Sequence, residues 1–309
     1  MLTAKGEDGH RISVINGDGS KNTKAFCPCC GKPMVAKAGE IRRPHWAHVK
    51  AERCDEWWEQ ESDWHIDWRK RFLDADKTSV KVDIEHVLDK NGEKHFSDVR
   101  IDDRLSLILR RARLDPKAVN ERISFFGDLI WMVQGNVSEY HKLERQIDNR
   151  ELSEVEGLPN CYICERAVDG FCGRWIYSQS IVVFDFRLAS LNEDEKLWIV
   201  IPGKGWTRNV VCLSIEQFLD RLLKRGRLFE KSVEDVNSVF ASRKAALKKG
   251  KNVLGGDLLH ATVTGDKMPG SDTIKITHQY KDAVSYINTA EVYGGNSALA
   301  DYWSKRHGY

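Results

Sequence analysis

TSVKVDIEHVLDKNGEKHFSDVRIDDRLSLILR, the stretch from Thr78 to Arg110, decides the fold class. Thr78–Val87 alternates apolar and polar residues, as a strand with one buried face does. Asn91-Gly92 follows, the dipeptide that closes a two-residue hairpin because both positions tolerate positive φ. Lys94–Ile101 alternates again, and Leu105–Arg110 is short and mostly apolar. Three consecutive strands are expected, the first two as a hairpin.

Working outward, Glu56–Leu73 places Trp57, Trp64, Trp68 and Phe72 at helical spacing, which predicts a helix with a buried aromatic stripe. Glu61 and His65, four apart, share a face beside that stripe. Downstream, Asp115-Pro116 supplies an N-cap and a proline at the first helical position of a second helix. Leu129–Val133 reads as a buried strand. The element order is α-β-β-β-α-β.

Upstream, Phe26-Cys-Pro-Cys-Cys-Gly-Lys-Pro33 is followed by Arg43-Pro-His-Trp-Ala-His48 and Cys54. The proline and glycine let the chain reverse so that Cys27 and Cys30 face one ion, and a short hairpin brings a second ligand pair. Sulfur and nitrogen donors at tetrahedral number suit structural zinc. Cys27, Cys30, His48 and Cys54 are the expected set, with His45 as the substitute for His48, because residues three apart on a strand point to opposite faces. The competing reading is a group of reduced core cysteines beside an unrelated histidine pair. Cys29 is the odd member. A segment this small gains its stability from the metal.

With 309 residues the chain has room for more than one core. The 48 Lys and Arg residues nearly balance 46 Asp and Glu, a net charge of +2, so nucleic-acid binding has to come from local patches. No apolar run is long enough to cross a bilayer, and the polar start Met1-Leu-Thr-Ala-Lys-Gly-Glu-Asp8 lacks a signal-peptide core. The expected location is cytoplasmic, with no membrane partner. There, eight cysteines point to metal ligands or buried thiols before disulfides.

The chain resembles the CoiA-like competence proteins, a family with a restriction-endonuclease-like nuclease core behind a zinc-binding N-terminus. The ordered motifs that carry the resemblance are C-P-x-C-G, P-H-W-A-H, E-S-x-x-H at Glu61–His65, H-F-S-D-V at His95–Val99, and E-R-x-x-F-F-G-D-L-I-W at Glu121–Trp131. Weaker matches lie at Arg174-Trp-Ile-Tyr-Ser178 and Val183-Phe-Asp-Phe-Arg187, so the likeness covers the first two thirds of the chain. It implies an α/β architecture with a zinc-ribbon-like module at 1–55, a nuclease-like core at 56–135, an α+β region at 136–255 and an extension at 256–309. It implies action on DNA, in uptake, processing or defence against foreign DNA, by Mg²⁺- or Mn²⁺-dependent phosphodiester hydrolysis. Asp98 takes the place of the family's strand aspartate, a metal ligand, and Glu61 and His65 that of the helix pair beside the active site. Hard divalent cations bound by carboxylate oxygens suit such hydrolysis. Read without the resemblance, Asp98 is a strand-edge carboxylate and Glu61–His65 an exposed helical pair.

The family's third strand carries Glu-x-Gln-x-Ser, where this chain has Ile108, Arg110 and Ala112. Ile108 cannot bind a metal, and Arg110 carries a permanent charge that can neutralise Asp98 or grip a phosphate. Three readings stay open. The chain binds nucleic acid without cutting it. Or it cuts with a relocated carboxylate, supplied by Glu85, Asp102 or Asp103. Or its site was silenced by design. The alternative of another class is a zinc-stabilised module that binds nucleic acid or protein and performs no chemistry, with a protein partner or a homodimer as its complex.

Beyond residue 135, Gly135–Arg150 reads as a polar helix and linker, Trp175–Phe186 and Leu197–Pro202 as strands, and Ser214–Arg225 as an amphipathic helix capped by Ser214. Cys161, Cys164 and Cys172 lack an obvious fourth ligand and read as buried thiols. Arg110, Arg111, Arg113, Lys224, Arg225, Lys248 and Lys249 are the candidate phosphate contacts, against the commoner reading of basic clusters as solvated faces.

Overall fold

In a computed structural model of the chain, the described residues are 1–14, 23–37, 44–50, 54–75, 79–190, 195–229 and 232–248 (side chains of 246–248 excepted), with the backbone of 266–267, 273–277 and 284–288. Lys249, the Lys248 side chain, most of 250–271 and Tyr302-Trp303 lie outside them.

Five short strands open the chain: β1 (Thr3–Gly6), β2 (Arg11–Ser13), β3 (Ala25–Phe26), β4 (Pro33–Lys37) and β5 (His45–His48). They form an antiparallel sheet in the order β2-β1-β3-β4-β5. Helix α1 (Asp63–Asp74) follows, and its Trp64, Trp68 and Phe72 are buried as the spacing predicts. The helix starts seven residues later than expected. Trp57 is not on it: the Asp55 carboxylate accepts the Trp57 amide at 2.8 Å, and the indole stacks on His95 with ring centres 3.4 Å apart. Those contacts hold 55–61 out of the helix and outweigh its local propensity.

The expected hairpin is β6 (Val82–Lys90) and β7 (Glu93–Ile101), closed by Asn91 and Gly92 at φ 56° and 89°. Strand β8 (Leu105–Arg110), helix α2 (Pro116–Phe126) and strand β9 (Leu129–Gln134) complete the α-β-β-β-α-β order. The Asp115 carboxylate caps α2 by accepting the Ala118 amide at 2.9 Å.

Helix α3 (Val137–Asp148) and strands β10 (Leu152–Val155), β11 (Leu158–Cys164), β12 (Ile181–Asp185), β13 (Lys196–Ile201) and β14 (Arg208–Ser214) come next, then α4 (Ile215–Arg225) and α5 (Val233–Lys248). Trp175 lies in a 3₁₀ turn, Gly173–Trp175, so the strand expected from residue 175 begins only at Ile181. Strands β6 to β14 make one nine-stranded sheet, β10-β11-β14-β13-β12-β9-β8-β7-β6, in which β8, β9 and β12 are mutually parallel. The 135/136 boundary therefore falls within a single sheet. Three strands β15 (Asp266–Lys267), β16 (Thr273–Thr277) and β17 (Val284–Asn288) pair among themselves.

Alternation along the strands feeds two cores, one on each face. Leu107, Leu109, Ile130 and Met132 join Trp68 and Phe72 of α1 and Phe218 of α4 on one face. Ile108, Trp131 and Val133 join Val119 and Phe125 of α2 and Leu143 of α3 on the other. No helix among the described residues is long and apolar enough to cross a membrane.

Candidate functional site

The zinc-ligand set comes together as the sequence predicts. The donor atoms of Cys27, Cys30, His48 and Cys54 all lie within 4.8 Å of one another. Cys27 Sγ is 3.6 Å from Cys54 Sγ, and Cys30 Sγ is 3.4 Å from His48 Nε2. Cys27 and Cys30 sit on a tight turn after β3, where the Gly31 amide donates to the Cys27 carbonyl at 2.9 Å and Gly31 adopts φ 70°. His48 comes from the end of β5. Three sulfurs and one imidazole suit tetrahedral zinc, and the cluster can hold such an ion. His45, at the other end of β5, lies outside the cluster. Cys29 is not among the four, though its sulfur lies 3.9 Å from the carbonyls of Cys54 and Lys94.

From this module a chain of contacts enters the sheet. Asp55, next to Cys54, pairs with His95 Nδ1 at 2.8 Å and accepts the Phe96 amide at 2.9 Å. His95 stacks on Trp57, and the Arg122 guanidinium lies 5.4 Å from the Trp57 ring. Two sequence-distant motifs, H-F-S-D-V and E-R-x-x-F-F, thus meet at Trp57.

Beside it, Asp98 of β7 lines a small cavity with Glu59, His65, Arg69, Arg110 and Arg122. The β7–β8 register pairs Val99 with Leu107, so one step further Asp98 faces Ile108. Asp98 accepts the Leu109 amide at 2.9 Å on one oxygen and the Arg69 guanidinium on the other. Arg69, 3% exposed, also donates to Glu61 and, at 2.9 Å, to Glu85. Three carboxylates from three segments surround one buried cation. Burial opposes the arginine's charge, but Glu61, Asp98 and Glu85 outweigh it and raise its pKa. Burial likewise works against charge on Glu61, yet Arg69 and the Met1 ammonium, 3.2 Å away, hold its carboxyl far below the usual range.

Glu61 lies before α1 rather than on it, so the predicted shared helical face with His65 does not form. His65 is buried; its Nδ1 meets Ser62 Oγ at 2.9 Å and its Nε2 lies 3.7 Å from Glu59. Of the alternative carboxylates, Glu85 alone lines the cavity. It adopts φ 48° and accepts the Leu2 amide at 2.7 Å and the Thr3 amide and hydroxyl at 2.8 and 2.7 Å. Asp102 and Asp103 occupy the exposed β7–β8 turn, where they take contacts from Lys81. Arg110 is 3.5 Å from Glu59 and donates to the Trp57 carbonyl at 3.3 Å, so it neutralises Glu59; Asp98 is neutralised by Arg69. Ala112 gives its amide to Glu59 at 2.7 Å.

An oxygen-liganded Mg²⁺ or Mn²⁺ does not fit this donor set. The Asp98 and Glu85 oxygens already accept protein hydrogen bonds, Ile108 offers no donor, and Arg69 brings a fixed positive charge to the centre.

The remaining predictions are dispersed. Arg111 and Arg113 are exposed after β8. Lys224 pairs with Asp220 at 2.5 Å, and Lys224 and Arg225 end α4, where Arg104 donates to the Gly226 carbonyl at 3.0 Å. That places them by the start of β8, with Arg110 at its other end. Arg243 is buried and donates to the Glu156 carbonyl. Cys161 belongs to one core and Cys164 and Cys172 to the other, so those three do not converge on an ion.

Arg69, Glu59 and Arg122 were not expected from the sequence. Arg69 had a signal: it follows His65 by four residues and shares its helical face.

Residues 17–56 match the family described as Competence protein CoiA, N-terminal domain. No curated protein and no solved structure matches the chain. The matched segment contains all four candidate zinc ligands, and over it the chain is similar to the N-terminal domain of the CoiA competence proteins.

Proposed function

We propose that this chain is a catalytically silent relative of DNA nucleases that binds DNA without cutting it, in uptake, processing or defence against foreign DNA. The observation that carries the reading is the pairing of Asp98 with Arg69, opposite Ile108. A restriction-endonuclease-like site needs a second donor where Ile108 stands and an open coordination position where Arg69 stands. The α-β-β-β-α-β order and the likeness of residues 17–56 to the CoiA N-terminal domain support descent from such a nuclease.

The test compares cleavage and binding of single- and double-stranded DNA, with Mg²⁺ or Mn²⁺, by the wild type, Asp98→Ala and the Ile108→Glu/Arg110→Gln double variant. The wild type is expected to bind and leave DNA intact. Wild-type cleavage that Asp98→Ala abolishes would show an active enzyme and overturn the proposal. Cleavage gained only by the double variant locates the silencing at β8.

A further inference from the structure

Arg122 is buried, at 6% exposed, and its Nε and Nη1 have no hydrogen-bond partner among the described residues. A buried guanidinium with unsatisfied donors is expensive, and proteins retain one where something outside the fold completes it. The nearby carboxylates are engaged elsewhere. Asp55 accepts from His95, Trp57 and Phe96; Asp115 caps α2; Glu59 accepts the Arg111 and Ala112 amides. Arg110 lines the same cavity and its charge weighs on Arg122, which Asp55, Glu59 and Asp115 offset in part without accepting from its Nε or Nη1. The guanidinium plane is held by the Trp57–His95 stack, which Asp55 fixes from the zinc-ligand side. The cavity between them is about 30 Å³, room for roughly one water-sized group.

We infer that Arg122, with Arg110 beside it, forms a binding site for a phosphate-type oxyanion, which inserts one oxygen into this cavity. Arginine's fork of donors suits that ligand better than any other common anion except a carboxylate. The natural source, a backbone phosphodiester or a free phosphate, is where the inference rests on the DNA-binding reading; the oxyanion chemistry does not depend on it.

The experiment uses the full chain, with inorganic phosphate in one arm and short single- and double-stranded oligonucleotides in the other. Phosphate at millimolar concentration should raise the wild-type Tm, because it binds only the folded state, and should leave the Tm of Arg122→Met unmoved. Arg122→Met should weaken oligonucleotide binding about tenfold or more and lower the salt slope by about 1. Arg122→Lys, which keeps the charge and loses the fork, should fall between them. If phosphate leaves the wild-type Tm unchanged and Arg122→Met binds oligonucleotide as the wild type does, the site does not exist, while DNA binding stands. If phosphate protects the wild type but no oligonucleotide binds, the oxyanion site stands and the DNA reading fails. Where Arg122→Met does not fold, Arg122→Lys carries the comparison with the wild type.

Discussion

The Arg69 guanidinium sits against the Asp98 carboxylate with only 3% of the arginine side chain exposed, and the same cation holds Glu61 and Glu85. One side chain of α1 thereby neutralises acids from the β6–β7 hairpin and from the segment ahead of the helix. The arrangement stands at the junction of the N-terminal sheet and the nine-stranded sheet, because Glu85 also takes the amides of Leu2 and Thr3.

Arg69→Met should destabilise the protein by about 3–5 kcal/mol at neutral pH, since it leaves buried carboxylates unpaired. Its loss of stability on acidification should be smaller than that of the wild type. In the wild type Glu61 is depressed, so its contribution is present above its ordinary value of 4.5 and is lost as pH falls below it. In the variant Glu61 loses Arg69 and keeps the Met1 ammonium against burial, so its carboxyl is depressed less, and the deficit is greatest at neutral pH and shrinks on acidification. Urea unfolding at neutral pH and near pH 5 checks this; a gap that widens at the lower pH contradicts it.

Purified protein should carry one zinc ion per chain, measured by metal analysis, and Cys30→Ser or Cys54→Ser should release it. Strong chelation should lower the Tm by several degrees and disorder the β3–β5 region, because the metal substitutes for a core that these short strands cannot build. Contact with Cys27 pulls the Cys54 thiol down, but Cys29 and burial outweigh it and push it up to about 12 in the metal-free chain. Zinc uptake therefore releases protons, and affinity should fall as pH is lowered.

Legibility in the sequence followed the range of the forces involved. Strand β8 and the cap of α2 depend on a short apolar run and on a local Asp-Pro pair, and they stand where those signals put them. The zinc ligands were equally readable, because a turn and a hairpin fix their spacing. The start of α1 was not, since Trp57 is withdrawn from helical spacing by His95, a residue 38 positions away. Arg69 looked like one charge among several on an amphipathic helix. Its burial is set by Glu61, Glu85 and Asp98, and only the register of β6 on β7 brings the last two together.

Asp185→Ala should cost roughly 3 kcal/mol and alter tryptophan fluorescence. The carboxylate is 1% exposed and accepts the indole N–H groups of Trp64 at 2.8 Å and Trp68 at 2.9 Å, besides pairing with Arg187 at 2.7 Å. Its removal leaves two buried indole donors without their acceptor and Arg187 with Asp67, 3.2 Å away, as its remaining carboxylate. Asp185→Asn keeps the volume and one acceptor oxygen, so it should lose less. Equal stability of Asp185→Ala and wild type in urea would mean that α1 is fixed to β12 by packing alone.

Glu59 should give the candidate site an acid limit of its own. Burial works to raise its carboxyl, but His65, the Arg111 amide and Arg110 outweigh that and bring it to about 2. Relative to the ordinary 4.5, that depression is worth about 1–2 kcal/mol after solvent screening. Because the folded value is the lower one, the stabilisation is complete above the unfolded value and disappears as pH drops toward 2. Glu59→Gln keeps an acceptor oxygen for one of the Arg111 and Ala112 amides and loses the charge that faces Arg110. It should be less stable than the wild type at neutral pH, and the two should converge below about pH 3. Parallel stability curves across that interval would show that the segment after β8 is held by its amide hydrogen bonds, with no contribution from the charge on Glu59.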